Sequence, residues 1–92
     1  MKIIESDFKI YGCSKVYVCE ENHKLSDGTQ VNIYTDFNDG VYIVKDGKVV
    51  KTIVIYEFEG CVVLDDYIAI NGHEELMLYN LITLKGVEER TR

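Results

Sequence analysis

The sequence predicts an all-β domain, a small antiparallel meander forming a sandwich or partly open barrel of about seven or eight short strands. Three observations carry that expectation. The seven glycines, from Gly12 to Gly86, recur every 7 to 16 residues and mostly follow Asp, Glu or Asn. That spacing suits hairpin-linked strands and leaves little room for the crossover a parallel pair needs. Between the glycines, apolar and polar residues alternate with period two. Finally, Asp46-Gly47 stands between two β-branched runs, and such a pair supplies the two positive-φ residues of a type I′ hairpin turn.

That hairpin, within Val41 to Phe58, is the stretch the chain is organised around. Counting outward pairs Lys45 with Lys48, Val44 with Val49, Ile43 with Val50, Tyr42 with Lys51 and Val41 with Thr52. The expected core-facing side is then Val41, Ile43, Val50 and Thr52. The opposite side carries Val44, Val49, Ile53 and Ile55, too much apolar surface to leave wholly in water. A homodimer that covers this second face is the expectation.

In chain order, Ile3, Ile4, Phe8 and Ile10 around Ser6-Asp7 predict a short strand, a bend and a second strand. Ser14 to Glu20 alternates Val16 and Val18 against Tyr17 and Cys19, a strand, and residues 21–28 read as the longest loop. Gln30 to Phe37 resumes the alternation, with Val31 and Ile33 on one side and Asn32 and Tyr34 on the other. Asn38-Asp39-Gly40 turns the chain into the central hairpin. After Glu59-Gly60, three short strands follow: CVVL, then YIAIN, then ELMLYNLI. Glu74 to Leu84 also admits a helical stripe, but its alternation and the preceding Asn71-Gly72 turn favour a strand. The polar tail, including the last five or so residues, is expected to fray.

A gapless echo aligns Asp39–Asp46 with Glu59–Asp66 twenty residues on, as hairpins of equal length would. From Gly60 to Gly86, the order strand, acidic turn, strand, Asn-Gly, strand and Tyr79-Asn80-Leu81 with Thr83 and Lys85 resembles one blade of a β-propeller. It covers less than a third of the chain, which is too short for a closed propeller, and implies no function.

Ninety-two residues make a single domain, 1–92, with 47% hydrophobic and 28% charged residues, a composition that excludes disorder. Apolar runs far shorter than the ~20 residues of a membrane helix argue for a soluble chain. Glu5 and Asp7 interrupt the start before any signal-like apolar region forms, so the expected compartment is the cytoplasm. Cys13, Cys19 and Cys61 are an odd set, read as reduced thiols in apolar surroundings.

The net charge is −6, which disfavours direct nucleic-acid binding. No Lys or Arg lies between Thr52 and Leu84, whereas Glu57, Glu59, Asp65, Asp66, Glu74 and Glu75 all do. These six carboxylates equal the whole net charge. In a meander, alternate turns lie at opposite ends, so Glu59 and Glu74-Glu75 should lie at one end and Asp65-Asp66 at the other. A one-signed patch of this kind steers association with a basic protein surface. Tyr17, Tyr34 and Tyr42 fall opposite the aliphatic residues of their own strands, where amphipathic rings would serve an interface.

No phosphate-cradling or nucleophile-elbow motif occurs. The spacing D-x-D-x-D-G of a calcium loop is absent. Cys61 near His73 lies in acidic surroundings that disfavour a thiolate nucleophile. Cys19, His23, Cys61 and His73 lack the tight pairs of a zinc site. The expectation is therefore a small acidic protein-binding module without catalytic residues, cofactor or metal. Its sharper form is an inhibitor, of the kind phages encode, that occupies a basic nucleic-acid-binding surface through Glu57, Glu59, Glu74 and Glu75 with Tyr17, Tyr34 and Tyr42. The alternative is a structural subunit or oligomerising domain of a larger assembly, and a small-ligand or cryptic enzymatic domain comes third.

Overall fold

The computed structural model describes residues 4–91, all in strands and connections. Nine antiparallel strands form two meander sheets. The first has five, in order β1 (Ile4–Ser6), β2 (Val16–Lys24), β3 (Gln30–Thr35), β4 (Gly40–Lys45) and β5 (Lys48–Val54). The second has four: β6 (Gly60–Leu64), β7 (Tyr67–Asn71), β8 (Glu75–Asn80) and β9 (Lys85–Thr91). The fold class is thus as read from the sequence, with one or two strands more. β6 to β8 are the three strands read between Gly60 and Gly86, and β9 adds a fourth to their meander. The two halves of the internal echo begin β4 and β6, each opening a hairpin.

Between the sheets, Ile33, Ile43, Ile53, Ile55, Ile68, Ile70 and Leu81 are almost wholly buried. Each such side chain contributes about 1.5–3 kcal/mol by leaving water. A second cluster lies on the other face of the first sheet, where Val16, Tyr34 and Val44 are covered by Ile10 with Phe8 and Cys13 packed alongside.

The Asp46-Gly47 turn has the expected positive φ at both residues, 51° and 74°, and its first pairs are Lys45 with Lys48 and Val44 with Val49. The expected register then fails. Ile43 pairs with Lys51, Tyr42 with Thr52 and Val41 with Ile53, leaving Val50 as an extra residue in a bulge. One inserted residue flips everything beyond it, so Ile53 and Ile55 join Val41 and Ile43 in the inter-sheet core while Thr52 is exposed and Val50 is 40% exposed. The face that a second copy was expected to cover is thereby covered within the chain. Ile53 and Ile55 are under the second sheet and Val44 is under the N-terminal segment, which leaves Val49 partly open.

Three further expectations change. Phe8 and Ile10 belong to an irregular segment, not a second strand; Phe8 stacks on Tyr34 at 4.7 Å and 8°, and Ile3 lies outside the described residues. β2 continues through Lys24 because Asn22, at φ 54°, forms a bulge closed by its N–H donating to Asn32 Oδ1 at 2.7 Å. The loop after β2 accordingly shrinks to Leu25–Thr29. The tail is strand β9 as far as Thr91, paired with β8, and Arg92 lies outside the described residues. Glu75–Asn80 is a strand, stopped by an Asn80 turn whose Oδ1 accepts the Ile82 and Thr83 N–H groups at 2.8 and 2.9 Å.

Candidate functional site

The acidic end is built by the connections β5–β6 and β7–β8, which the crossing between sheets locks together. Tyr56 O accepts the His73 N–H at 3.0 Å, and Asn71 O accepts the Glu59 N–H at 2.8 Å. Gly72 sits where the two connections touch: a Cβ there would lie 2.6 Å from both Ile55 Cγ1 and Tyr56 O. This close approach holds Glu57, Glu59 and Glu74 exposed at one end of the molecule. His73 lies among them, its Nδ1 3.6 Å from Glu57 Oε2 and 3.9 Å from Glu59 Oε2. The Tyr56 ring meets the imidazole edge-on at 6.3 Å.

Glu75 differs from its neighbours. It is half-buried, and its Oε1 accepts the Tyr56 N–H at 3.0 Å, so its carboxylate closes the connection between the sheets. A charge-assisted bond to backbone is a structural contact, and Glu75 leaves the set offered to a partner.

The other acidic pair is likewise used within the chain. At the β6–β7 turn, Asp66 accepts the Ser26 N–H at 2.8 Å and the Ser26 hydroxyl at 2.5 Å, and those bonds hold its carboxyl below the usual carboxylate range. His23 Nε2 lies 2.6 Å from Asp65 O. These contacts tie the β2–β3 loop of the first sheet to the second. A polar Ser-Asp-Gly loop and an Asp-Asp turn forty residues apart carry no sequence signal that they meet.

The three tyrosines do not share a surface. Tyr17 pairs with Thr35 and therefore lies on the face of Thr35 and Ile33, whereas Val18 pairs with Tyr34. In β2 the valines face the N-terminal segment; in β3 and β4 Tyr34 and Tyr42 do. Tyr17 packs edge-on to Phe37 at 5.7 Å, which in turn meets Phe58 at 6.0 Å. Tyr34 is buried under Phe8. Tyr42 is half-buried, its hydroxyl donating to Asp36 Oδ2 and accepting from the Cys13 thiol, both at 3.1 Å. Desolvation first, then those bonds and the Asp36 charge, push the Tyr42 phenol well up. Tyr34 presents no ring to a partner, and Tyr42 is committed to an internal network.

Large apolar side chains are also exposed on the second sheet. Val62 and Leu64 on the edge strand β6 are 62% and 68% exposed, with Tyr67 beside Leu64 across the hairpin. Sequence alternation does not single these out, because β6 reads as a continuous apolar run. Among the described residues, no group of three or more His, Cys, Asp or Glu is arranged to hold a metal ion, and no helix is long and apolar enough to cross a membrane. No known family model, curated protein or solved structure matches this chain.

Proposed function

We propose that the protein is a non-catalytic binding module that docks its acidic end on a basic protein surface, in its sharper form an inhibitor occupying a nucleic-acid-binding surface. One observation carries the reading: Glu57, Glu59 and Glu74 stand exposed together at the junction of two rigidly bonded connections, in a stretch without Lys or Arg from Thr52 to Leu84. Fixed like charges on one end steer a basic partner and reject an acidic one.

The test is capture of partners from the native host by wild type and by the triple variant Glu57→Gln, Glu59→Gln, Glu74→Gln, with Glu75 kept because it bonds to Tyr56. Exposed charge pairs contribute up to about 1 kcal/mol each, so the variant should bind about tenfold or more weakly. The wild-type complex should also weaken between low and physiological salt, as the Debye length shrinks to ~8 Å. Equal retention by the neutralised variant refutes the reading. A subunit role in a larger assembly is favoured instead by exposed Val62 and Leu64 on a sheet edge. That contact would be insensitive to salt and lost on Val62→Lys with Leu64→Lys.

A further inference from the structure

Four strands end a sheet among the described residues, and three of them are blunted. β1 is described over only three residues. β5 carries Lys48 and Lys51 and is kinked by the bulge at Val50. β9 carries Lys85, Glu88, Glu89 and Arg90, and its pairing with β8 shifts register. Short length, bulges and charge are the devices that keep a strand edge from pairing with another chain. β6 has none of them. Its residues Gly60–Leu64 are uncharged, pair with β7 in unbroken register, and have no strand on their other side among the described residues. Leu64 and Tyr67 close the two-residue turn, so the ladder bonds alternate from there and the Val63 N–H and C=O point away from β7. Cys61 and Val63 turn their side chains to the core, while Val62 and Leu64 stand in solvent. Val62 lies across from Ala69, and Ala69 across from Leu78, so apolar surface runs from the edge into the outer face of the sheet.

We propose that β6 is a docking strand, on which an extended segment of the partner adds to the second sheet. That segment is apolar over the length of β6 and carries a Lys or Arg at each end. The inference rests on the basic partner proposed above and specifies the part of it that is bound. Main-chain hydrogen bonds along an open edge supply affinity, and alternate side chains supply selectivity. Charge decides between a foreign segment and a second copy. Glu59 and Asp65 bracket β6, both exposed, and lie roughly 20 Å apart along an extended chain. Two copies paired antiparallel about Val62 would set Glu59 of each against Asp65 of the other, and a parallel pair would set each carboxylate beside its own equivalent. Like charges directly opposite destabilise a strand pair. A segment with basic residues six positions apart meets both carboxylates instead, so the same two groups attract that partner and reject self-pairing.

The probe is the synthetic peptide Lys-Lys-Val-Thr-Val-Thr-Val-Lys-Lys, titrated into the folded protein and followed by backbone amide NMR. It should bind with a dissociation constant below about 1 mM and shift the amides of Gly60 to Leu64. Replacing its four Lys by Glu should weaken binding about tenfold or more, and so should replacing its Val-Thr core by Gly-Ser. Methylating alternate peptide nitrogens removes the donors on one side of the strand: one frame should abolish binding and the other retain it. Val62→Lys with Leu64→Lys, at two exposed positions, should abolish it with the circular dichroism spectrum unchanged. No binding of the Lys-flanked peptide at 1 mM, equal binding of its Glu-flanked counterpart, or retention by both methylated frames would overturn the proposal. Equal binding of the Gly-Ser peptide, with shifts confined to Glu57, Glu59 and Glu74, would overturn the docking strand while leaving the acidic end as a binding surface. Failure of that surface is read separately, from equal capture by the neutralised triple variant.

Discussion

Gly72→Ala tests the junction on which the acidic end is built. A Cβ at this position would stand 2.6 Å from Ile55 Cγ1 and 2.6 Å from Tyr56 O, with Ile55 Cδ1 at 3.1 Å. Ordinary carbon contacts lie at about 3.5–4.0 Å, so the added methyl overlaps two atoms by close to 1 Å. Neither atom yields cheaply. Ile55 is 1% exposed within the inter-sheet core, and Tyr56 O is held by the His73 N–H at 3.0 Å. Gly72 itself donates its N–H to Glu75 O at 3.0 Å, so a shift of its own backbone loses that bond. Overpacking of this kind costs about 2–3 kcal/mol, which for a domain of this size lowers the melting temperature by roughly 10–20 °C. Gly28→Ala is the control: Gly28 has φ +88° and nothing within 4 Å of its Cβ position, so it reports left-handed strain alone, about 1 kcal/mol. Thermal unfolding followed by circular dichroism compares the two. A Gly72→Ala protein that melts as high as wild type, or higher than Gly28→Ala, would show that the two connections do not touch as described.

Two further outcomes follow from the acidic residues. Glu75→Ala should destabilise by about 1.5–3 kcal/mol, because the Tyr56 N–H loses a charged acceptor, while Glu74→Ala should stay within about 0.5 kcal/mol; equal effects in denaturant titration would contradict the assignment of Glu75 as structural. Asp66 has its folded carboxyl held below the unfolded value of 3.8 by Ser26, so its contribution is complete above the unfolded value and fades as pH falls toward the folded one. Melting curves from pH 6 to pH 2 should therefore lose less stability in Asp66→Asn than in wild type, and superimposable pH profiles would argue against the Ser26 contact.

The sequence by itself determined the fold class, the placement of nearly every strand and the gathering of Glu59 and Glu74 at one end. These follow from local rules: period-two alternation, turn chemistry at Asp46-Gly47, and the geometry by which successive meander turns change ends. The tertiary structure alone decided which face each residue occupies and who meets whom across the sheets. Val50 reads as a core residue until the bulge beside it shifts the register, because a single inserted residue leaves the local pattern intact yet inverts every later side chain. Tyr34 reads as an interface ring until Phe8 is found stacked on it, and an irregular segment gives no periodicity from which to foresee that cover. The Ser26–Asp66 bonds join residues of different meanders, and Glu75 ties the second meander to the connection that precedes it. Such contacts depend on how one sheet is rotated and slid against the other, a quantity set by the packing of the whole core and written in no single stretch of the chain.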